Sequence, residues 1–62
     1  MDNALALFIQ VYKQHRDIEI CIAELKRKGF SQLDTIRVLM QLPRISVVQA
    51  DEIVRQSIAW RD

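Results

Sequence analysis

The side chains that could take part in catalysis or metal binding are concentrated between residues 15 and 24. They are His15, Asp17, Glu19, Cys21 and Glu24. A zinc site combines several histidine, cysteine or carboxylate ligands, yet the chain has a single histidine and a single cysteine. We therefore expect no metal and no cofactor, and we interpret His15 as a solvated or hydrogen-bonded structural residue.

Cys21 recurs with Ile18, Ile22 and Leu25 at helical spacing, which predicts a small buried hydrophobic residue. A nucleophilic thiol would need a neighbouring base, and the sequence places none beside it. The carboxylates could form an acid and base pair, although helix surfaces ordinarily carry such residues. With no glycine-rich phosphate loop and no Ser, His and Asp set, the sequence predicts a protein that is not an enzyme.

Basic side chains form two clusters in the N-terminal half, consisting of Lys13, Arg16, Lys26, Arg27 and Lys28. As one stripe they could contact nucleic-acid phosphates; as a solvated helix face they would complement the helix dipole. A more specific hypothesis of DNA binding is a helix-turn-helix in which residues 46–55 form the recognition helix. That helix would bring Asp51 and Glu52 toward phosphate, so we prefer the solvated face and keep DNA binding as the alternative.

Residues 31–55 are predicted to form two short amphipathic helices with almost no connecting loop. Ser31 is a typical N-cap, and Asp34 completes an acidic capping box. The first helix is therefore predicted over 32–42. Pro43 must end it, because proline lacks an amide hydrogen and restricts the residue before it.

The second helix of this hairpin is predicted over 47–59, with Ser46 as its N-cap and Gln49 completing a capping box. The apolar faces consist of Leu33, Ile36, Leu39 and Met40 on the first helix and Val47, Ala50, Ile53 and Val54 on the second. The residues expected to be most buried in this half are Leu39, Ile53 and Ile36.

These residues carry a resemblance to a known family. The matching positions are Thr35-Ile36-Arg37-Val38-Leu39, Ile45-Ser46-Val47, Ala50 and Ile53-Val54. Over 35–54 and without a gap, they resemble the helical hairpin in the C-terminal domain of the bacterial ribosomal stalk protein. The resemblance implies a shared hairpin packing and, in that family, a surface that receives translation factors through basic side chains.

The departures from that family concern charge and the preceding element. The positions that would carry the basic side chains are Arg37, Met40, Val48 and Asp51, of which Arg37 keeps the charge. The family's turn glycine is Arg44 here, and a helical segment replaces the strand before the hairpin. Gly29-Phe30 and the last helix also resemble the loop and closing helix of the ubiquitin-associated three-helix fold. This second resemblance likewise implies a protein-binding module.

The N-terminal half contains two apolar sets at helical spacing. The first is Leu5, Phe8, Ile9 and Tyr12, and the second is Ile18, Cys21, Ile22 and Leu25. On a straight helix the second set is rotated by roughly a quarter turn or more. This is compatible with one long helix or with two helices broken near His15 and recapped by Asp17. Because the intervening block lacks glycine and proline, we favour a continuous or kinked helix over about 3–28, capped by Asp2 or Asn3.

The end of this long helix is predicted at Gly29, as a left-handed cap with Phe30 folded back onto Leu25 or Lys26. The sequence thus predicts a single all-α domain over residues 1–62, with a long N-terminal helix and a C-terminal helical hairpin. The chain has 62 residues, half of them hydrophobic, and a net charge of +1. No apolar run reaches membrane-spanning length, so we expect a cytoplasmic protein without membrane contact.

Apolar surface should remain after three such helices cover one another. The first set of the N-terminal helix is the expected remainder, so Leu5, Phe8, Ile9 and Tyr12 are predicted to drive self-association as a homodimer. Candidate residues for binding an unidentified protein partner are Arg37, Arg44, Lys26, Arg27 and Lys28. The function predicted is a small helical interaction or regulatory module.

Overall fold

The computed structural model describes residues 3–43 and 45–60, and this part of the chain is helical without any strand. The elements are α1 Asn3–His15, α2 Ile18–Arg27, α3 Gln32–Met40, α4 Val47–Gln56 and a single 3₁₀ turn, Ile58–Trp60. The all-α prediction is confirmed. The predicted count of three helices is not, because the N-terminal helix is divided in two. Asp2, one of its two predicted caps, lies outside the described residues.

The favoured prediction of one continuous or kinked helix over 3–28 is wrong, and the alternative of two helices broken near His15 is the one found. The chain reverses at Arg16. That residue has a φ of 56°, in the left-handed region, while its N–H still donates to the Tyr12 carbonyl at 2.8 Å. Asp17 is then the N-cap of α2, and its Oδ1 accepts the Glu19 N–H at 2.9 Å. The reversal brings the two rotated apolar sets onto one core, which a straight helix could not do.

The core lies between α1 and α2 and extends to α3 and α4. Cys21, Ile22 and Leu25 are completely buried, and Phe8 is 2% exposed. The Cys21 thiol donates to the Phe8 carbonyl at 3.7 Å, so α2 packs directly on the middle of α1. The interpretation of Cys21 as a buried hydrophobic residue is confirmed.

The end of α2 follows the prediction. Gly29 has a φ of 94°, and its N–H donates to the Lys26 carbonyl at 3.0 Å. The Phe30 N–H donates to the Leu25 carbonyl at 3.0 Å, which completes a Schellman motif. Phe30 packs against the core, so this cap sets the direction in which α3 leaves.

Both predicted capping boxes are present. The Asp34 N–H donates to Ser31 Oγ and the Ser31 N–H donates to Asp34 Oδ2, each at 3.1 Å. The Gln49 N–H donates to Ser46 Oγ at 3.2 Å, and the Ser46 N–H donates to Gln49 Oε1 at 3.0 Å. Helices α3 and α4 therefore begin at Gln32 and Val47, as predicted.

The ends of these two helices differ from the prediction. Helix α3 ends at Met40 rather than at residue 42, consistent with the restriction that Pro43 places on the backbone before it. Helix α4 ends at Gln56 rather than at residue 59. There Ser57 is buried in an extended conformation and donates its hydroxyl to Glu19 Oε1 at 2.8 Å. This bond across the fold redirects the last residues onto α2.

The predicted core of the hairpin is partly correct. Leu39 is completely buried, whereas Ile36 and Ile53 are half-buried at the edge of the core. The other fully buried side chains of this half are Thr35, Val38, Ala50, Val54 and Ser57. Thr35 can take an inward position because its hydroxyl donates to the Ser31 carbonyl at 3.0 Å. Helix α3 is therefore rotated so that Leu33 and Met40 are exposed.

Candidate interaction surfaces

The carboxylates near residues 17–24 hold the fold together rather than converge on one site. Asp17 caps α2. Glu19 Oε1 accepts the Ser57 hydroxyl at 2.8 Å. Glu24 forms two hydrogen bonds of 2.9 Å with the Arg27 guanidinium, which lower the pKa of its carboxyl. Within residues 3–43 and 45–60, no three His, Cys, Asp or Glu side chains could hold a metal ion together.

The thiol and the imidazole also have structural positions. Burial raises the pKa of the Cys21 thiol, and the Asp17 carboxylate raises it further. The neutral thiol is a poor nucleophile because attack requires the thiolate. His15 is the last residue of α1 and is exposed to solvent.

The reversal at Arg16 separates the basic residues that the sequence placed on one helix. Lys13 and Arg16 lie near the N-terminal end of α2, at its turn with α1. Lys26 and Arg27 are the last two residues of this 10-residue helix and Lys28 is its C-cap, a separation of roughly 15 Å along the helix axis. The Arg16 guanidinium lies 5.8 Å from the centroid of the Tyr12 ring, which is a cation–π distance. The five basic residues therefore do not form one continuous stripe.

The candidate partner-binding residues have different positions. The Lys26 ammonium donates to the Ala59 carbonyl and lies 4.8 Å from the Trp60 ring centroid, and Arg27 pairs with Glu24. Both therefore make contacts within the chain. Lys28 and Arg37 are exposed, and Arg44 lies outside the described residues.

The predicted self-association set does not form one exposed stripe. Phe8 is a core residue and Leu5 is half-buried against the core. Ile9 and Tyr12 are 43% and 37% exposed. The expectation that a monomer leaves all four side chains in water is wrong for Phe8, because the fold-back of α2 covers it. Self-association itself stays a prediction.

Ile9 and Tyr12 form one wall of an apolar groove of about 380 Å³, called the α1 groove below. Its lining residues are Phe8, Ile9, Tyr12, Lys13, Ile18, Leu42, Pro43 and Ile45. The sequence indicated the first three as a surface. It did not indicate Ile18, Leu42, Pro43 and Ile45, because they reach the groove only through the reversal at Arg16 and the bend at Pro43.

A second apolar surface lies on the outer side of the C-terminal hairpin and is called the α3–α4 face. It comprises Leu33, Ile36, Met40, Val47 and Val48, and the first two enclose with Val47, Val48 and Asp51 a depression of about 370 Å³. Leu33 is 55% exposed and Val48 is 70% exposed. The sequence predicted Leu33, Met40 and Val47 to belong to the packed stripe, so this surface is a finding of the structure.

The charges beside these two surfaces differ. Lys13 lines the α1 groove and Arg16 lies above its Tyr12 wall. Beside the α3–α4 face, Arg37 is exposed, and Asp51 pairs with Arg55 at 2.9 Å. The groove therefore has a cationic edge, whereas the edge of the α3–α4 face carries both signs.

A smaller apolar patch lies between α2 and the 3₁₀ turn. Ile20 and Ile58 are its exposed large residues, and with Glu19, Ala23 and Ala59 they line a depression of about 250 Å³. Glu19 is already bonded to Ser57 there. The patch therefore belongs to the seam that holds the last residues against α2.

Comparisons of the sequence with protein-family models, curated proteins and solved structures gave no significant match. Of the helices in the described part of the chain, none has the length and apolar character needed to cross a bilayer. The two apolar surfaces are thus the features from which a function can be argued.

Proposed function

We propose that the chain is a small non-catalytic helical module that binds other proteins and self-associates. The observation that carries this proposal is the grouping of six exposed large apolar residues on two surfaces. They are Ile9 and Tyr12 in the α1 groove and Leu33, Met40, Val47 and Val48 on the α3–α4 face. Large contiguous apolar patches are uncommon on monomeric proteins and mark sites of interaction.

Self-association is best supported at the α3–α4 face. Its apolar side chains are more exposed than those of the α1 groove. Two copies related by a two-fold axis use the same surface of each chain. The charges beside that surface in one copy must therefore not repel those in the other copy. The face meets this condition because Arg37, Asp51 and Arg55 supply both signs, and unlike charges of the two copies can pair.

The resemblance to the ribosomal stalk hairpin concerns the same face, and we propose that it reflects shared helix packing. Arg37 is the one position of four that keeps the family's basic charge. Met40 and Val48 are apolar and exposed, and Asp51 is acidic. An apolar surface with mixed charges is compatible with a second copy of itself, whereas a basic surface would select an acidic partner.

Sedimentation equilibrium tests this proposal. At about 100 micromolar, the wild-type chain is expected to sediment as a dimer, since burying several large apolar side chains supports micromolar association. Val48→Glu should give a species of 7.3 kDa, the mass of one chain. The matched control, Ile9→Glu, places the same charge on the α1 groove and should remain dimeric.

Two outcomes would contradict the proposal. A wild-type mass near 7.3 kDa would show that the chain does not self-associate. A dimer that is lost in Ile9→Glu and retained in Val48→Glu would show that the dimer interface lies on α1, as predicted from the sequence.

A further inference from the structure

The α1 groove combines an apolar lining with positive charge. Seven of its eight lining residues are apolar or aromatic, and the eighth is Lys13. The Arg16 guanidinium lies 5.8 Å from the centroid of the Tyr12 ring. Asp17, the acidic residue next in sequence, accepts the Glu19 N–H as the N-cap of α2 and keeps its negative charge. Lys13 and Arg16 outnumber it, so this edge of the groove carries a net positive charge.

We propose that the α1 groove binds an amphipathic helix of another protein, with acidic side chains flanking its apolar face. This inference rests on the proposed function as an interaction module and names the chemistry of the partner. Apolar side chains of the ligand would fill the space between Tyr12 and Pro43. Its carboxylates would pair with Lys13 and Arg16, which fixes the orientation of the helix.

The shape of the site favours a helix over a peptide that binds by strand addition. Strand addition needs an exposed sheet edge, and residues 3–43 and 45–60 contain no strand. The groove is bounded by helix α1 on one side and by residues Leu42, Pro43 and Ile45 on the other. Such an apolar channel accepts side chains spaced by one helical turn.

The charge of the groove disfavours a second copy of this chain as its occupant. A two-fold arrangement centred on the groove would bring two copies of Lys13 and two of Arg16 into one interface. Like charges facing one another across an interface are destabilising. The groove and the α3–α4 face are thus suited to different partners.

Fluorescence anisotropy with three labelled helical peptides tests the inference. The peptides share leucines at positions i, i+3 and i+7 and differ in their flanking residues, which are glutamate, glutamine or lysine. In low salt the glutamate peptide is expected to bind about tenfold more tightly than the lysine peptide, with the glutamine peptide between them. In high salt the three affinities should converge, because exposed charges are screened.

Two variants assign the effect to the groove. Ile9→Gln removes an exposed apolar side chain from the wall of the groove and should weaken the binding of all three peptides. In Lys13→Glu combined with Arg16→Asn, the preference for the glutamate peptide should be lost or reversed. Asparagine is chosen because it tolerates the left-handed conformation that Arg16 adopts. Circular dichroism of each variant should retain the helical spectrum.

The outcomes separate this inference from the proposed function. Equal affinities for the three peptides would contradict the proposal that the partner is acidic, although the groove would still be a binding site. If none of the peptides binds, the groove is not a site for a helix, and the sedimentation experiment still decides self-association. Tighter binding of a labelled DNA duplex, lost in the Lys13 and Arg16 variant and kept in Ile9→Gln, would overturn the inference in favour of a nucleic acid.

Discussion

The two helical hairpins of this chain are similar in length but dispose their apolar residues differently. In α1–α2, the exposed large apolar residues Ile9, Tyr12 and Ile20 are 37–43% accessible. In α3–α4, Leu33, Met40, Val47 and Val48 are 44–70% accessible. Both pairs contain helices with apolar residues at helical spacing, so the pattern alone does not distinguish them.

The difference arises from what packs against each hairpin. Helix α2 contacts α1, α3 and the 3₁₀ turn, and three of its residues, Cys21, Ile22 and Leu25, are completely buried. Helices α3 and α4 pack together, and α3 also contacts α1 and α2, yet Leu33, Val47 and Val48 remain more than half exposed. Apolar periodicity therefore predicts that a helix is amphipathic, while the neighbouring elements decide how much of its apolar surface is covered.

The largest expected effect compares two leucines of α3. Leu39 is completely buried and Leu33 is 55% exposed. Leu39→Ala should lower the free energy of unfolding by about 2–5 kcal/mol, through lost burial and a residual cavity, which is enough to unfold a domain of this size. At a concentration low enough to keep the chain monomeric, Leu33→Ala should change it by less than about 0.5 kcal/mol; in the proposed dimer the loss would be larger, because association stabilises the folded chain.

Urea denaturation followed by circular dichroism measures both leucine variants. If the free energy of unfolding falls equally in the two, the outward orientation of Leu33 is wrong. The distinction between a packed and an exposed side of α3 would then be lost.

A smaller effect compares the two left-handed residues that flank α2, Arg16 before it and Gly29 after it. Gly29→Val should destabilise the chain by about 1 kcal/mol or more, because a side chain is strained at a φ of 94°. Arg16→Gly should have an effect below about 0.5 kcal/mol. Relief of left-handed strain is offset there by greater unfolded-state freedom and the loss of the contact with Tyr12.

Thermal unfolding of these two variants checks the cap and the reversal. A Gly29→Val chain that melts at the wild-type temperature would show that the Schellman motif does not direct α3. A large loss in Arg16→Gly would show that its side chain, rather than its backbone, holds the reversal.

The smallest effect concerns pH and the buried thiol. Because burial raises the pKa of Cys21, the unfolded chain releases this proton at a lower pH than the folded chain. The contribution to stability is present below the unfolded pKa and declines as the pH rises above about 9. Cys21→Ala should be less stable than wild type at pH 7, and the difference should narrow at pH 10. A constant difference, measured by urea denaturation at both pH values, would contradict this burial.

The features predictable from sequence are those determined by residues close together in the chain. The Ser31 and Ser46 capping boxes each join two residues three positions apart, and the Gly29 cap and Pro43 restrict their own neighbours. The break near His15 with Asp17 as the new cap was the less favoured of two alternatives, because the sequence there contains neither glycine nor proline and a non-glycine residue in the left-handed region has no strong local signal. The reversal is favoured because it lets both apolar sets of the N-terminal half contribute to one core.

The end of α4 and the two apolar surfaces depend on contacts distant in sequence. Ser57 leaves the helix where Glu19, 38 residues earlier, accepts its hydroxyl. The α1 groove joins Tyr12 to Pro43, and the α3–α4 face consists of residues that the other hairpin does not cover. Helical periodicity placed most of these apolar side chains on one face of a helix, but their exposure followed only from the packing of the helices.

The central claim is that the α3–α4 face pairs two copies of the chain while the α1 groove stays free for another partner. A dilution series of ¹H–¹⁵N NMR spectra tests it most directly, because each backbone amide reports its own surroundings. We expect concentration-dependent shifts at Leu33, Val47 and Val48, with Ile9 and Tyr12 unchanged. Shifts confined to Ile9 and Tyr12, or spectra that do not change with concentration, would contradict the claim.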